Sequence, residues 1–262
     1  MDASTTIIYT AGVTVGIMTF AYLLSLKLRD ASIVDIFWGL GFLVLARVLL
    51  IAADPPTTTQ LIVAAMTTLW GGRLALHILM RKLDEPKEDW RYTQWRKDWG
   101  KKFWWQSYYR IFLLQALLTC IVAAPIWLSA WQPDRDSLHT VQIIGMVIWA
   151  IGFLFEAVGD YQLSRFLKDK KAGKTKKKIM TSGVWALTRH PNYFGEVSMW
   201  WGLFLIVVVG ENGWIGIISP LLITYLLLKV SGIPMLEKKY DRNKEFQAYK
   251  KKTPAFFPKL KI

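Results

Sequence analysis

Cysteine is almost missing: Cys120 is the single thiol in 262 residues. One thiol excludes a disulfide framework and a thiolate metal site. Cys120 lies in an apolar run, where an inert buried side chain is the default. Histidine is scarce too. His77, His139 and His190 are scattered and no His-Glu-x-x-His occurs, so no catalytic metal is expected. The chain has no Gly-x-Gly-x-x-Gly after a strand, no P-loop and no Gly-x-Ser-x-Gly, which removes three common routes to nucleotide binding or acyl transfer. Acids are few: 19 Asp and Glu against 33 Lys and Arg, a formal charge of +14. In a soluble chain that surplus would point to nucleic acid. Here the bases fall in a few loops, so anionic lipid and membrane orientation account for most of them and nucleic acid is not expected.

What is abundant is apolar. Hydrophobic residues make up 53% of the chain, with 14 Trp and a mean hydropathy of +0.27. Such a load predicts an all-α, polytopic membrane protein, and the length predicts one domain over 1–262. The first apolar run lacks a basic leader and a small-residue cleavage site, so it reads as a retained span and not a signal peptide. Seven runs can cross about 30 Å of hydrocarbon as helices. They lie near 6–26, 33–53, 60–80, 109–131, 140–160, 193–210 and 213–235, with a tail over 236–262. There is no internal repeat and no low-complexity linker.

The bases alternate with these spans. Lys27 and Arg29 follow the first. Arg81 to Lys102 follow the third, Arg165 to Arg189 the fifth, and Lys238 to Lys261 the last. The opposite side has Arg135 alone. By the positive-inside rule the N-terminus is outside and the C-terminus cytosolic, in a bacterial inner membrane or the endoplasmic reticulum.

Polar groups inside the spans gather toward that cytosolic side. Asp35 sits near the end of the second span. Trp70, Arg73 and His77 share a face of the third, Glu156 and Asp160 a face of the fifth, and Glu196 enters the sixth. Pairing of Asp35 with Arg73 or His77 is one reading. The convergence of so many ionisable groups favours a cavity open to the cytosolic leaflet. Arg47 falls deeper, where it pairs or snorkels. Between spans three and four, aromatics interleaved with charges suit an interfacial helix, with Trp99, Trp104 and Trp105 as anchors and Arg91 and Tyr92 able to reach inward.

The densest stretch is Arg189-His190-Pro191-Asn192-Tyr193-Phe194-Gly195-Glu196. Pro191 suits the first position of a helix, with His190 as its cap. A helix starting there offers free N–H groups and a positive dipole end beside Arg189, which suits a phosphate. Asn192 and Glu196, four apart, share a face, and a carboxylate that deep calls for a partner and a role. Downstream, Pro234 should break the last span, and Glu237 and Tyr240, three apart, face the same rim.

Gly183-Val184-Trp185, the Arg189–Glu196 string and Trp200-Trp201-Gly202 together resemble the C-terminal signature of the steroid 5-alpha-reductase and sterol reductase superfamily. Ser32-Ile33-Val34-Asp35-Ile36-Phe37-Trp38-Gly39 and Glu88-Asp89-Trp90-Arg91-Tyr92 are similar to its DUF1295 branch. The resemblance implies seven helices holding NADPH in a cavity open to the cytosol, with a hydrophobic lipid or steroid-like substrate entering from the membrane. It matches Asp160 and Tyr161 to a cofactor-contacting pair, and Asn192 and Glu196 to the residues on the nicotinamide side. It gives Arg165 or Lys168, with Arg189, to the phosphates. Trp185, His190, Tyr193, Glu237 and Tyr240 complete the expected cofactor set. The steroid reductases carry a Gln-Glu pair on an early helix that this chain lacks. The catalytic work of polarising substrate and supplying a proton then falls to Asp35, Arg73, His77 or Tyr92. The alternative is an isoprenylcysteine-type methyltransferase, whose family shares Arg-His-Pro-x-Tyr-x-Gly and binds S-adenosylmethionine. Glu196 after the string and Asp160-Tyr161 before it favour the reductase. A third reading is a non-catalytic lipid-binding protein or carrier, which would spread its polar groups along a path through the bilayer.

Overall fold

The computed structural model describes residues 2–133 and 137–259. Arg135 and Lys261, two of the bases used above to orient the chain, lie outside the described residues. Among the described residues all regular structure is helical. The helices are α1 Ala3–Leu28, α2 Val34–Ile51, α3 Thr58–Asp84, α4 Trp90–Trp99, α5 Phe103–Ser107, α6 Leu114–Val122, α7 Ala124–Ser129, α8 Thr140–Lys171, α9 Pro191–Val207, α10 Ile218–Tyr225, α11 Ile233–Tyr240 and α12 Lys244–Lys252.

Five helical stretches among the described residues are long and apolar enough to cross a membrane: Ala3–Leu28, Ala31–Ile51, Thr58–Asp84, Thr140–Lys171 and Gly213–Tyr240. The chain is a multi-pass membrane protein. The other two expected spans take a different form. The run at 109–131 is divided into a π-turn at Tyr108–Leu113, then α6, then α7. Pro125, in the first turn of α7, has no N–H to continue the ladder, so the helix restarts at Ala124. The run at 193–210 forms α9, whose 17 residues reach about 25 Å. The fifth span is longer than its apolar run. That run stops near 160, yet α8 continues to Lys171, because the Gln, Leu, Arg and Lys that follow are good helix formers. The last span breaks at Ser231-Gly232 and resumes as α11 with Pro234 in its first turn, as its sequence predicts.

The chain forms two compact units, Met1–Leu138 with Val207–Ile218, and His139–Ile206 with Ser219–Ile262. In the first, α2 and α3 cross at Gly39 and Gly71. A Cβ on Gly39 would lie 2.6 Å from the Gly71 carbonyl oxygen, and one on Gly71 would lie 2.5 Å from that of Gly39. Phe42 and Trp70 fill the adjacent layer, both buried, with ring centroids 5.6 Å apart. At the far end of this pair the Gln60 amide donates to the Leu49 carbonyl at 3.0 Å. Helices in lipid gain little from hydrophobicity and associate through close packing and bonds of this kind.

The second unit uses the same device twice. Gly145 meets Gly202, and Gly152 meets Gly195, so α8 and α9 carry contact glycines seven residues apart and run antiparallel. A Cβ on any of the four would lie within 2.4–2.6 Å of the opposing glycine's carbonyl oxygen. Beyond them, Gly159 faces the Pro191 ring. The buried Gln142 amide ties the other end of the pair to the Ile206 carbonyl at 3.1 Å.

Candidate functional site

The α8–α9 crossing fixes which side chains meet. Gly159 admits Pro191, so the following residue on each helix, Asp160 and Asn192, comes into reach. Asn192 Nδ2 donates to Asp160 Oδ1 at 3.4 Å, and Asn192 Oδ1 accepts from the Tyr193 N–H at 3.1 Å. Asp160 is buried and Glu156, one turn earlier, is more so, at 3% exposed. Glu196 sits half-buried one turn into α9. This part of α8 thus meets the start of α9.

The segment entering α9 is built against α8. Trp185 is buried and its Nε1 donates to the Gly159 carbonyl at 3.0 Å. Gln162 Oε1 accepts from the Val184 N–H at 3.1 Å. Gly183 stands between them at φ 63, a left-handed conformation that glycine tolerates, and a Cβ there would strike the Gln162 amide. Outward along α8, Tyr161 is 63% exposed, and Arg165 and Lys168 are exposed as well.

Arg189 is differently placed from the phosphate ligand expected of it. It is buried, and all three guanidinium nitrogens are engaged within the protein. Nε and Nη2 donate to Glu237 Oε1 at 2.8 and 2.7 Å, and Nη1 donates to the carbonyls of Thr253 at 2.5 Å and Lys250 at 3.3 Å. Glu237 is gripped from other sides too: His190 Nε2 lies 3.1 Å from Oε1 and Lys250 Nζ 3.3 Å from Oε2. The His190 ring stacks on Tyr193, 5.5 Å between centroids. Tyr240, expected beside Glu237 on the cofactor side, is 39% exposed on α11.

The C-terminal segment lies across this region as a strap. The Arg189 N–H donates to the Pro254 carbonyl at 2.9 Å, Thr188 Oγ1 to that of Ala255 at 3.1 Å, and the Lys259 N–H to that of Leu187 at 2.8 Å. The Tyr249 hydroxyl donates to the Trp185 carbonyl. Burial pushes the Tyr249 phenol up from its ordinary value, so it remains a donor. Phe256 packs edge-on against Phe194 of α9, 5.7 Å between centroids. Gln162, Tyr249, Thr253 and this strap were not among the residues the sequence singled out. Main-chain bonds leave no signature in side-chain identity.

The first unit brings Asp35 and Tyr92 together and adds Arg91. Tyr92 Oη donates to Asp35 Oδ1 at 2.7 Å and Arg91 Nη2 to Oδ2 at 2.8 Å. The partners of Asp35 are thus on α4, while Arg73 and His77 stand half-buried on α3. Asp89 caps α4, accepting from the Arg91 N–H at 3.0 Å, and pairs with Arg91 Nε at 2.9 Å. Glu88 accepts from the Ala31 N–H at 2.8 Å and pairs with Arg96 at 2.7 Å, tying α4 to the start of α2. Tyr92 is buried. Burial first, then the Asp35 carboxylate, pushes its phenol well above the ordinary value. Burial works against the charge on Arg91, but Asp35, Tyr92 and Asp89 outweigh it and raise its pKa. Of the three expected interface anchors, Trp104 and Trp105 are exposed, and Trp99 stacks on Trp95 at 5.8 Å.

No curated protein and no solved structure matches this chain. A family model described as protein of unknown function, DUF1295, matches residues 21–253, which takes in both Asp35–Tyr92 and the Arg189–Glu196 string. With most of its length covered, the chain belongs to the DUF1295 family.

Proposed function

We propose that this protein is a membrane-embedded, NADPH-dependent reductase of a carbon–carbon double bond in a steroid-like or other hydrophobic lipid, with its N-terminus outside and its C-terminus in the cytosol. The observation that carries the reading is the meeting of the buried Asp160 carboxylate with the Asn192 carboxamide at the start of α9. The likeness of the Arg189–Glu196 string to the steroid and sterol reductases supports it.

The donor set fits the cofactor. A carboxylate and a carboxamide, with the Glu196 carboxylate one turn further in, complement the donor and acceptor of a nicotinamide carboxamide. Arg165 and Lys168, exposed five and eight residues beyond Asp160 on the same helix, suit phosphates. A surplus of bases suits the 2′-phosphate of NADPH. When bound, the cofactor supplies a hydride for the electron-poor carbon of a conjugated double bond. For the acid that completes the reduction, the reading takes Tyr92 as its candidate. Asp35 holds that hydroxyl in place, and its raised pKa keeps the phenol protonated at neutral pH. Arg91, with its guanidinium carbon 5.1 Å from the Tyr92 ring centroid, offsets the negative charge left behind.

The test uses the detergent-purified protein, 4-deuterated NADPH and a 3-keto-4-ene steroid or a conjugated lipid enone. Incorporation of one deuterium into the saturated product, lost in Tyr92→Phe, is the expected result. Methyl transfer from S-adenosylmethionine with no deuterium transfer would move the protein to the methyltransferases.

A further inference from the structure

We propose that Arg189, Glu237 and Tyr249 are positioning residues that form a buried latch. The latch fastens the C-terminal strap, residues 253–259, over segment 185–190 and thereby fixes Asn192 and Tyr193 at the start of α9. Only the last clause rests on the reductase reading, since the latch itself stands on geometry alone.

Three observations carry it. First, all three guanidinium nitrogens of Arg189 are engaged by its own chain. Its nitrogens reach the buried Glu237 carboxylate and the carbonyls of Lys250 and Thr253, which ties its side chain to α11 and to the start of the strap. Second, the Glu237 carboxylate meets two cations, Arg189 and Lys250, and the ring of His190, and so joins α11 to the residue just ahead of Pro191. Third, the strap closes from the other side. Tyr249 bonds the Trp185 carbonyl while the Trp185 indole bonds the Gly159 carbonyl of α8. Phe256, Phe194 and Phe155 continue the contact from the strap through α9 to α8, at 5.7 and 5.1 Å.

The chemistry assigns each member a distinct duty. The guanidinium fork is planar and presents its donors from three separate nitrogens, so it reaches the carboxylate through Nε and Nη2 and two carbonyls through Nη1, a spread that a single ammonium nitrogen lacks. The latch therefore needs Arg at 189 and not only a positive charge. His190 lies between the two systems. Its ring touches Glu237 on one side and stacks on Tyr193 on the other, so movement of the latch reaches the cofactor-side residues through one imidazole.

Two readouts on the full-length protein test this: amide hydrogen exchange of residues 244–259 without ligand, and NADPH affinity. The expected result for Arg189→Ala is exchange at least tenfold faster across the strap and NADPH affinity at least tenfold weaker, with guanidinium in the buffer restoring part of both. Arg189→Lys should restore neither fully. Tyr249→Phe leaves Arg189 and every charge in place, and should shift both readouts in the same direction by a smaller factor. Unchanged strap exchange in Arg189→Ala together with lost NADPH binding would make Arg189 a direct ligand and overturn the proposal. Tyr249→Phe that opens the strap without changing NADPH affinity would overturn the positioning role. Wild-type protein that binds no NADPH would overturn the reductase reading, and exchange would then decide the latch by itself. Should Arg189→Ala fail to fold, the Tyr249→Phe pair of readouts carries the decision.

Discussion

The two units each hold a carboxylate–arginine knot beside a pair of glycine-packed helices, but the two knots differ in burial. In the first unit the Asp35 and Arg91 side chains are 20% and 28% exposed, and a tyrosine shares the carboxylate. In the second the Arg189 and Glu237 side chains are 8% and 11% exposed, and the arginine is closed off by main-chain carbonyls. A partly wet knot can release a partner at small cost and so can take part in chemistry. A dry one is costly to open and suits architecture. The same residue types thus stand in different surroundings, and the proposals made above for Asp35–Tyr92 and for Arg189–Glu237 follow that difference.

The largest effects that bear on this contrast are expected at the glycines and at the buried knot. Gly152→Ala or Gly195→Ala drives a methyl into an opposing carbonyl that neither helix can move aside, and is expected to cost about 3 kcal/mol. Gly39→Ala should do the same to the first unit. Gly12→Ala, with open space around it, is the control and should leave the melting temperature unchanged. The knots come next. Glu237→Ala leaves a buried arginine without its carboxylate and should cost about 3–5 kcal/mol in thermal or denaturant melts. Asp35→Ala, on a part-exposed pair, should cost about 1 kcal/mol while abolishing turnover. Equal losses from the two would erase the distinction drawn here. A smaller effect concerns pH. Burial works against the charge on Asp89, but Arg91 overrides it and holds the Asp89 carboxyl below its ordinary value. A depressed folded-state pKa adds stability above the unfolded carboxylate pKa, about 3.9, and that stability is lost as pH falls through the folded value. Acidification below about pH 4 should therefore loosen α4, and Asp89→Asn should flatten that part of the pH–stability curve.

Much of this was legible in the sequence, for identifiable reasons. Apolar runs located the starts of the five long stretches within a few residues, and Pro191 and Pro234 marked helix starts because proline declares its position. Asp35, Tyr92, Asp160 and Asn192 could each be singled out because they sit in strings dense with polar side chains, but the sequence offered Arg73 or His77 as the partner of Asp35, where the structure shows Tyr92 and Arg91 bonded to it. The end of α8 was not, because a hydropathy reading stops where charges begin and helix propensity does not. The glycine crossings were in plain view as Gly145, Gly152, Gly159, Gly195 and Gly202, but their spacing of seven has meaning only when two helices are laid together. The partners of Arg189 were hidden for a similar reason. An arginine beside a helix start suits a phosphate on paper, and the main-chain carbonyls of Lys250 and Thr253 that it reaches are announced by no side chain.

The most direct measurement is equilibrium binding of NADPH, NADH and S-adenosylmethionine to the detergent-purified protein, alongside Asn192→Ala and Glu196→Gln. The account predicts that NADPH binds, that NADH binds more weakly, and that each variant loses at least tenfold in NADPH affinity, about 1.4 kcal/mol. Binding of S-adenosylmethionine in place of NADPH, or NADPH binding indifferent to both variants, would contradict it.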